Sequence, residues 1–419
     1  MSAAPEYLGT KIIGRLAGVN RCRPAPLSEG TFPFHVATAK GGVLESNAAP
    51  RVESGAITVM RLYDVAYAMD LAMVERLASE RDGSSATRVR LTRVEPKAIA
   101  YSEPPVGLTL GIVRVPLVAG GEFTGTATAR AYEFGAVSIA IRVPVQDESW
   151  PEFVAFSRSV NAALQGNGQG VWAELMDRMR RVIDPALDRP MASGVEEDYV
   201  VTSVQRFDRA INSDELLEYA DIASLLSGDT RPLSGQSKRE LLRHVFTYYR
   251  DDLVALSWDH AFVWDPAGES DVVDVLEVAN AQLLELRYYD DLLDDELPRI
   301  YDRVEETRGG LASLSRRRFS RLARTIYSRV AEVTEIMERV DNTLIVTEDV
   351  YLARIYGSAL ELFRVRTWAT GVEKKLDLMR DTYRSLYDEA ATARAEILEA
   401  AIVLLIVLEI VLAFLGWLG

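Results

Sequence analysis

Hydrophobic residues change their spacing along the chain, and this change indicates where its parts begin and end. Between residues 56 and 265, Ile57–Tyr63 is a short apolar run that predicts a strand, while Ala66–Glu80 repeats apolar residues at helical intervals. Thr124–Tyr132 and Ala136–Val143 predict a β-hairpin. Strands mixed with single helices indicate an α+β domain, a mixed sheet with helices packed on it.

Beyond residue 266 the apolar spacing becomes helical, and no proline follows Pro298, so nothing there forbids long helices. Two stretches place apolar residues three and four positions apart, which is the spacing of a heptad seam. They predict a long-helix coiled-coil region that packs as a hairpin and also on copies in a homo-oligomer. The seam residues are Ile326, Val330, Val333, Met337 and Val340, followed by Leu376, Met379, Tyr383 and Leu386.

The end of the chain is almost wholly apolar, with Glu409 as the only charge in residues 400–419. A helix of this length, at ~1.5 Å per residue, matches a hydrocarbon core of ~30 Å. We therefore expect one C-terminal transmembrane helix, a tail anchor in the cell membrane with the bulk of the chain in the cytoplasm. Because a carboxylate is costly there, we expect Glu409 to hydrogen-bond between anchor helices. A proton or ion relay and a tolerated residue are the alternatives.

The N-terminal residues show little pattern and contain five prolines before residue 56, which predicts a loose arm without a signal peptide. The sequence thus predicts four parts. They are a loose arm at 1–55, an α/β domain at 56–265, a helical coiled-coil region at 266–395 and a tail anchor at 396–419.

Composition narrows the functions. The net charge of −15 argues against direct DNA binding, which needs a basic excess. One cysteine and three histidines exclude a disulfide framework and disfavour a Cys- or His-based metal centre. The acidic stretch 288–302 is interpreted as a solvated helix face, and Asp259–His260 as a local structural pair. We find no catalytic set, so we expect a non-enzymatic protein without a cofactor.

An arginine cluster precedes the first seam and offers a second candidate site. Such a cluster can contact the phosphates of anionic lipid headgroups or of ribosomal RNA, or it can pair with the acidic stretch before it. Its residues are Arg316, Arg317, Arg318, Arg321 and Arg324.

Three segments, in this order, resemble the required-for-meiotic-nuclear-division family, whose function is unknown. Tyr132–Ile139 (YEFGAVSI) is similar to an apolar strand of that family, and Phe262–Asp265 (FVWD) is similar to its Phe-Phe-Trp-Glu segment. Glu399 and Glu409 have the spacing of its final glutamates. The substitutions within these segments favour a divergent bacterial branch.

The resemblance implies a membrane-bound, oligomeric protein without known enzyme activity, linked to translation in mitochondria. We accordingly expect a tail-anchored oligomeric scaffold that recruits a cytoplasmic partner. The resemblance makes the ribosome a candidate for that partner. The alternative is an α/β domain that senses a ligand and signals through the coiled coil to the membrane.

Overall fold

A computed structural model describes residues 49–82, 87–88, 99–101, 103–166, 168–191, 194–268, 271–308, 312–341, 344–346 and 350–417. Side chains within these ranges are described except in 81–101, 306–320, 336, 339–349, 389–397, 400 and 412–417. The predicted arm therefore lies outside the described residues up to residue 48. The predicted division into four parts stays a prediction.

The strands of the described residues fall mainly before residue 265. They are β1 Val52–Asp64, β2 Ala66–Met69, β3 Thr87–Arg88, β4 Ile99–Tyr101, β5 Val106–Pro116, β6 Glu122–Ala131, β7 Ala136–Glu148, β8 Leu187–Pro190, β9 Glu196–Phe207, β10 Val245–Phe246, β11 Leu253–Leu256, β12 His260–Trp264 and β13 Leu344–Val346.

The helices become longer towards the end of the chain. They are α1 Leu71–Asp82, α2 Trp150–Gln165, α3 Gln169–Ile183, α4 Ser213–Tyr219, α5 Ile222–Ser227, α6 Gly235–Leu241, α7 Val272–Arg308, α8 Ala312–Asp341, α9 Val350–Leu362 and α10 Val365–Trp417, with a short 3₁₀ turn at Asp184–Ala186.

One mixed sheet organises the molecule. Within the described residues it has nine strands in the order β10-β11-β12-β9-β1-β7-β6-β5-β3. Its strand pairs are antiparallel except β12 and β9, which run parallel. The predicted hairpin is confirmed as β6 and β7, which pair from Ala131 with Val137 to Thr126 with Arg142.

The central strand β1 is buried on both faces of the sheet. Every residue from Ala56 to Leu62 is buried, including Thr58 and Arg61. Since side chains alternate across a strand, Ile57 points to one face and Thr58 to the other. We call these face 1 and face 2. Burial on both faces explains why this strand is an apolar run instead of an alternating pattern.

Face 1 is covered by α1, α2, α3 and α5. Ile57, Phe153 and Trp172 belong to its hydrophobic core. The Trp150 ring meets Phe262 of β12 edge to face, with ring centroids 5.6 Å apart. These helices therefore join the middle of the sheet to its β12 side.

Face 2 is covered by the long C-terminal helices. Met60 of β1 and Leu284 of α7 belong to one core, which also takes in residues of α8, α9 and α10. Tyr199 of β9 meets Phe363, between α9 and α10, edge to face at 5.4 Å. The sheet thus lies between two helical layers, and we call α7–α10 the helical layer of face 2.

The two predicted seams lie inside the helical layer of face 2 and pack against other helices of the same chain. Ile326, Val330, Val333, Leu376, Met379 and Leu386 are buried in the same core, and Met337 and Tyr383 pack against it. The side chain of Val340 lies outside those described. Because α8 and α10 contact each other and α7, the seams have partners within one chain. Homo-oligomerisation stays a prediction.

The predicted tail anchor requires a correction. In the part of the chain whose side chains the structure describes, no helix is long and apolar enough to cross a membrane. The exposed apolar stretch described at the end of α10, residues 401–411, is about 16 Å long at ~1.5 Å per residue, about half of a hydrocarbon core. The transmembrane part of the predicted fold, and the predicted single-pass location in the cell membrane, are wrong on this finding.

Candidate ligand-binding cavity

A cavity of about 320 Å³ lies on face 2, beside the beginning of α7. Its floor consists of residues from β1, β6, β7, β9 and β12, and its wall consists of the first turns of α7. Its volume is at the lower end of the range that small-molecule sites have in proteins. The helical layer leaves this part of face 2 open.

The polar floor follows from the alternation of side chains along the strands. Residues two apart share a face, so Ser138, Ala140 and Arg142 of β7 all line the cavity, as do Thr128 and Arg130 of β6. The neighbouring strands add further polar groups. These are Thr58 from β1 and Ser203 and Gln205 from β9.

An ion-pair network ties the floor to the wall. The Arg130 guanidinium donates to Asp274 at 2.6 Å and to Glu277 at 2.8 Å. The Tyr132 hydroxyl donates to the other oxygen of Glu277 at 3.0 Å. Because Glu277 is 3% exposed, burial raises the pKa of its carboxyl, an effect that Arg130 opposes. Arg130 is therefore neutralised by α7.

Arg142 is the second cation that lines the cavity, and unlike Arg130 it has no carboxylate partner among the described residues. Thr58 lies directly opposite Arg142 on β1, and both line the cavity. No carboxylate among the described residues forms an ion pair with Arg142. The Arg142 side chain is exposed, and the protein around it lowers the pKa of its guanidinium by desolvation. A counter-ion would stabilise the charged form.

Ser138 presents a buried hydroxyl to the same cavity. It is 1% exposed, and its Oγ makes no hydrogen bond of normal geometry within the described part of the chain. It lies near the Glu277 carboxyl, where it lowers the pKa slightly against the larger effect of burial. A buried hydroxyl without a partner is costly, so a polar ligand group or a water would stabilise it.

Gly268 forms the far edge of the cavity in the loop after β12. Its φ is +70°, and a Cβ there would lie 2.6 Å from Nε2 of Gln205. Gln205 also accepts a hydrogen bond from the Ser54 hydroxyl at 3.2 Å. The positive φ favours glycine at this position of the loop, and the absent side chain leaves room for the Gln205 amide beside the cavity.

The cavity lining carries charges of both signs. Asp274 and Glu277 are already paired with Arg130, and two further carboxylates, Asp265 and Asp271, line the cavity. Arg142 is the lining cation that has no ion pair among the described residues, so it and the hydroxyls around it are the groups suited to an anionic part of a ligand. No group of three or more metal-ligating side chains occurs in the residues described. We assign no reaction to the cavity.

The candidate residues predicted from the sequence lie elsewhere. Arg321 and Arg324 are exposed on α8, and Glu409 is exposed on α10. The side chains of Arg316, Arg317 and Arg318 lie outside those described. Contact of the arginine cluster with phosphate or lipid therefore stays a prediction. So does a polar contact of Glu409 between copies of the chain, although no membrane is assigned to it.

Sequence analysis missed the cavity, although a signal was present. Polar residues recur at every second position of β6, and the facing positions of its neighbours add Ser138 and Arg142 of β7 and Ser203 and Gln205 of β9. Such alternation is typical of a strand with one solvated face. What the sequence does not show is that three such strands place their polar faces side by side under the start of α7.

Comparison with known proteins connects the chain to uncharacterised archaeal protein sequence. The uncharacterized protein MJ0711 of Methanocaldococcus jannaschii is 27% identical over 193 residues, which cover 46% of this chain and 58% of the relative. The match thus spans less than two thirds of the relative. No solved structure matches the chain.

The resemblance to the required-for-meiotic-nuclear-division family is wrong, because the family match is to a different domain. The segments that suggested it are the turn before β7 with the start of that strand, and strand β12. Short apolar strands of this kind arise in any doubly buried sheet, so they do not distinguish families. The matching family is described as "Uncharacterized protein MJ0711, N-terminal domain", its model covers residues 54–271, and the chain belongs to it.

Proposed function

We propose that this protein binds a small hydrophilic anion in the cavity of face 2 and couples its binding to the helical layer through α7. The anionic group, a carboxylate or a phosphate, pairs with Arg142. Polar groups of the ligand extend along β7 towards Ser138. The cavity volume of about 320 Å³ limits the ligand to the size of a small metabolite.

The observation that carries this proposal is the contrast between the two arginines of the cavity. Arg130 has two carboxylate partners within 2.8 Å, whereas Arg142 has none among the described residues. A guanidinium without an ion-pair partner can accept a carboxylate or phosphate through a charge-assisted, bidentate hydrogen bond. The hydroxyl of Thr58, across the strand pair, is within reach of the same group.

The route to the helical layer is short. Ser138 lies next to Glu277, and Glu277 belongs to the second turn of α7. That helix continues to Arg308 and packs on α8, α9 and α10. A ligand that orders the Ser138–Glu277 contact therefore acts on the helix that joins the sheet to the rest of the layer.

Thermal unfolding of the full chain with glycerol 3-phosphate, succinate and L-glutamate tests this proposal, and glycerol serves as the uncharged comparison. Ligand binding to the folded state raises Tm by mass action, by about 2.7 kcal/mol of stabilisation at a concentration of 100 Kd. We expect at least one anion to raise Tm and glycerol to have no effect.

Arg142→Gln and Ser138→Ala should reduce or remove that shift. Arg114→Gln is the matched control, since Arg114 is an exposed arginine on β5 outside the cavity lining. An equal shift in the Arg142→Gln and Arg114→Gln variants would place the anion elsewhere and contradict the proposal.

The predicted scaffold function, with a homo-oligomer and a ribosomal or other cytoplasmic partner, stays a prediction. So does the expectation of a non-enzymatic protein. The cavity supports the second of the two predicted functions, ligand sensing by the α/β domain. We do not propose that the signal passes to a membrane.

A further inference from the structure

Two carboxyl groups meet in the interior where the sheet joins the helical layer of face 2. Asp64 is the last residue of β1, and Glu285 lies in the middle of α7. They are 3% and 2% exposed. We call them the carboxyl pair. Asp64 lies inside the segment that matches the family and Glu285 lies beyond its end at residue 271, so the pair bridges the family domain and the helices that follow it.

Neither member of the pair is neutralised by the described residues. Both oxygens of Asp64 and Oε1 of Glu285 lack a hydrogen bond of normal geometry there. The backbone N–H of Ala66 lowers the pKa of Asp64, but the larger effect of burial raises it to about 7. Two ionised carboxylates in such a place would each carry a desolvation cost and would repel each other.

The groups that surround the pair do not supply the missing charge. Tyr288 and Tyr289 of α7 lie beside it, and the two carboxyls raise the pKa of both phenols, as does burial. From α8, Arg329 and Glu332 face the same region, but Arg329 forms an ion pair with Glu332 at 3.0 Å. Glu332 also pairs with Arg189 of β8, so both arginines are engaged with Glu332. Among the described residues neither arginine forms an ion pair with Asp64 or Glu285.

We infer that Asp64 and Glu285 form a proton-binding site that fastens α7 to the sheet. One proton held on either carboxyl allows α7 to remain docked, and release of that proton loosens the junction between the family domain and the helical layer. This inference is independent of the ligand proposed for the cavity.

The direction of the pH dependence follows from proton linkage. Burial, and then the charge of Asp64, raise the pKa of Glu285 well above its ordinary value. The folded state therefore binds protons that the unfolded state has released, and stability falls as the pH rises. The loss begins above the ordinary Asp value of 3.8 and continues through about 7. A difference of one bound proton increases the unfolding equilibrium constant up to tenfold per pH unit.

Urea unfolding of the full chain between about pH 5 and about pH 9 tests this inference. We expect the wild-type chain to lose stability across this range. Asp64→Asn and Glu285→Gln, which keep the shape of the side chain without its charge, should flatten the curve and make the protein more stable than wild type at the alkaline end. Asp291→Asn, at an exposed position of the same helix, should keep the wild-type slope.

A wild-type curve without this fall, or amide variants with the slope of the Asp291→Asn control, would overturn the inference. If an amide variant does not fold, infrared spectroscopy of the wild-type chain decides instead. We expect the C=O band of a buried protonated carboxyl at about pH 5 and its loss by about pH 9. The absence of that band at the acidic end would equally overturn the inference.

Discussion

Gly135, in the turn between β6 and β7, shows how one residue can fix the position of two strands. Its φ is +94°, and a Cβ there would lie 1.7 Å from the carbonyl oxygen of Ala66. Its own carbonyl accepts a hydrogen bond from the N–H of Val65 at 3.1 Å. The β1–β2 connection therefore passes over a residue that cannot carry a side chain.

Substitution of this glycine should be far more damaging than its φ alone requires. We expect Gly135→Ala to lower the free energy of unfolding by more than ~4 kcal/mol, since backbone must move as well. Gly120→Ala is the matched control, because Gly120 has φ +97° but nothing within 4 Å of its Cβ position. That control should cost ~1–2 kcal/mol. Equal losses in denaturant unfolding would show that the contact with Ala66 is unimportant.

Residues of this kind also mark the limit of prediction from sequence. The run Ile57–Tyr63 correctly predicts a strand, but it contains Arg61, which is buried. Arg61 pairs with Asp198 at 2.6 Å and lies over the Trp172 ring at 5.0 Å. Both partners are more than a hundred positions away, so neither spacing nor composition identifies them. The same holds for Asp64 and Glu285.

Among the elements, α7 is the helix that connects the sheet to the helical layer of face 2. It runs from Val272 to Arg308 and accommodates Pro298 inside it. Its first turns are attached to β6 by Arg130, with Asp274 and Glu277 as acceptors. Removal of one partner from a largely buried ion pair is costly, because it leaves an uncompensated charge.

Removal of the arginine should detach this end of the helix. We expect Arg130→Met to lower the free energy of unfolding by about 3 kcal/mol, since it leaves the Glu277 carboxylate buried without its cation. Thermal or urea unfolding measures the loss.

A second substitution shows whether the lost cation is the cause. Glu277→Gln in the Arg130→Met background removes the uncompensated charge and should restore a part of the stability, about 1 kcal/mol or more. If the double variant has a lower free energy of unfolding than Arg130→Met, by as much as Glu277→Gln lowers it in the wild-type chain, the ion pair is not what attaches α7.

The type of an individual element could be predicted from the sequence more readily than the elements that pack against it. The predicted hairpin appears as β6 and β7. The seams of α8 and α10 are apolar because they face α7 and the sheet. A heptad spacing states that a helix has a buried stripe, but it does not state whether the partner is another copy or the same chain.

At the scale of the whole molecule, a central sheet separates two helical layers with different contents. Face 1 is covered by helices that lie between strands along the chain, within the segment that matches the family. Face 2 is covered by helices that follow that segment. The polar cavity and the carboxyl pair both lie where this second layer meets the sheet, so both proposed sites report on how α7 is docked.

The errors of sequence analysis also belong to this scale. The terminal apolar run and three short motifs suggested a membrane protein of a particular family, whereas the described helices and the family match correct both conclusions. Hydrophobicity indicates that a segment avoids water. It does not identify the surroundings, because burial in a sheet and other apolar surroundings favour the same residue types. Only the assembled strands reveal the polar cavity.

The most direct test of the central claim is hydrogen–deuterium exchange of the full chain with and without the anion that raises Tm most. We predict slower exchange in β7 around Arg142 and in the first turns of α7, with a change that continues into α8 or α10. Slower exchange confined to other surfaces, or an α7 whose exchange is the same with and without saturating anion, would contradict the claim that the cavity is coupled to the helical layer.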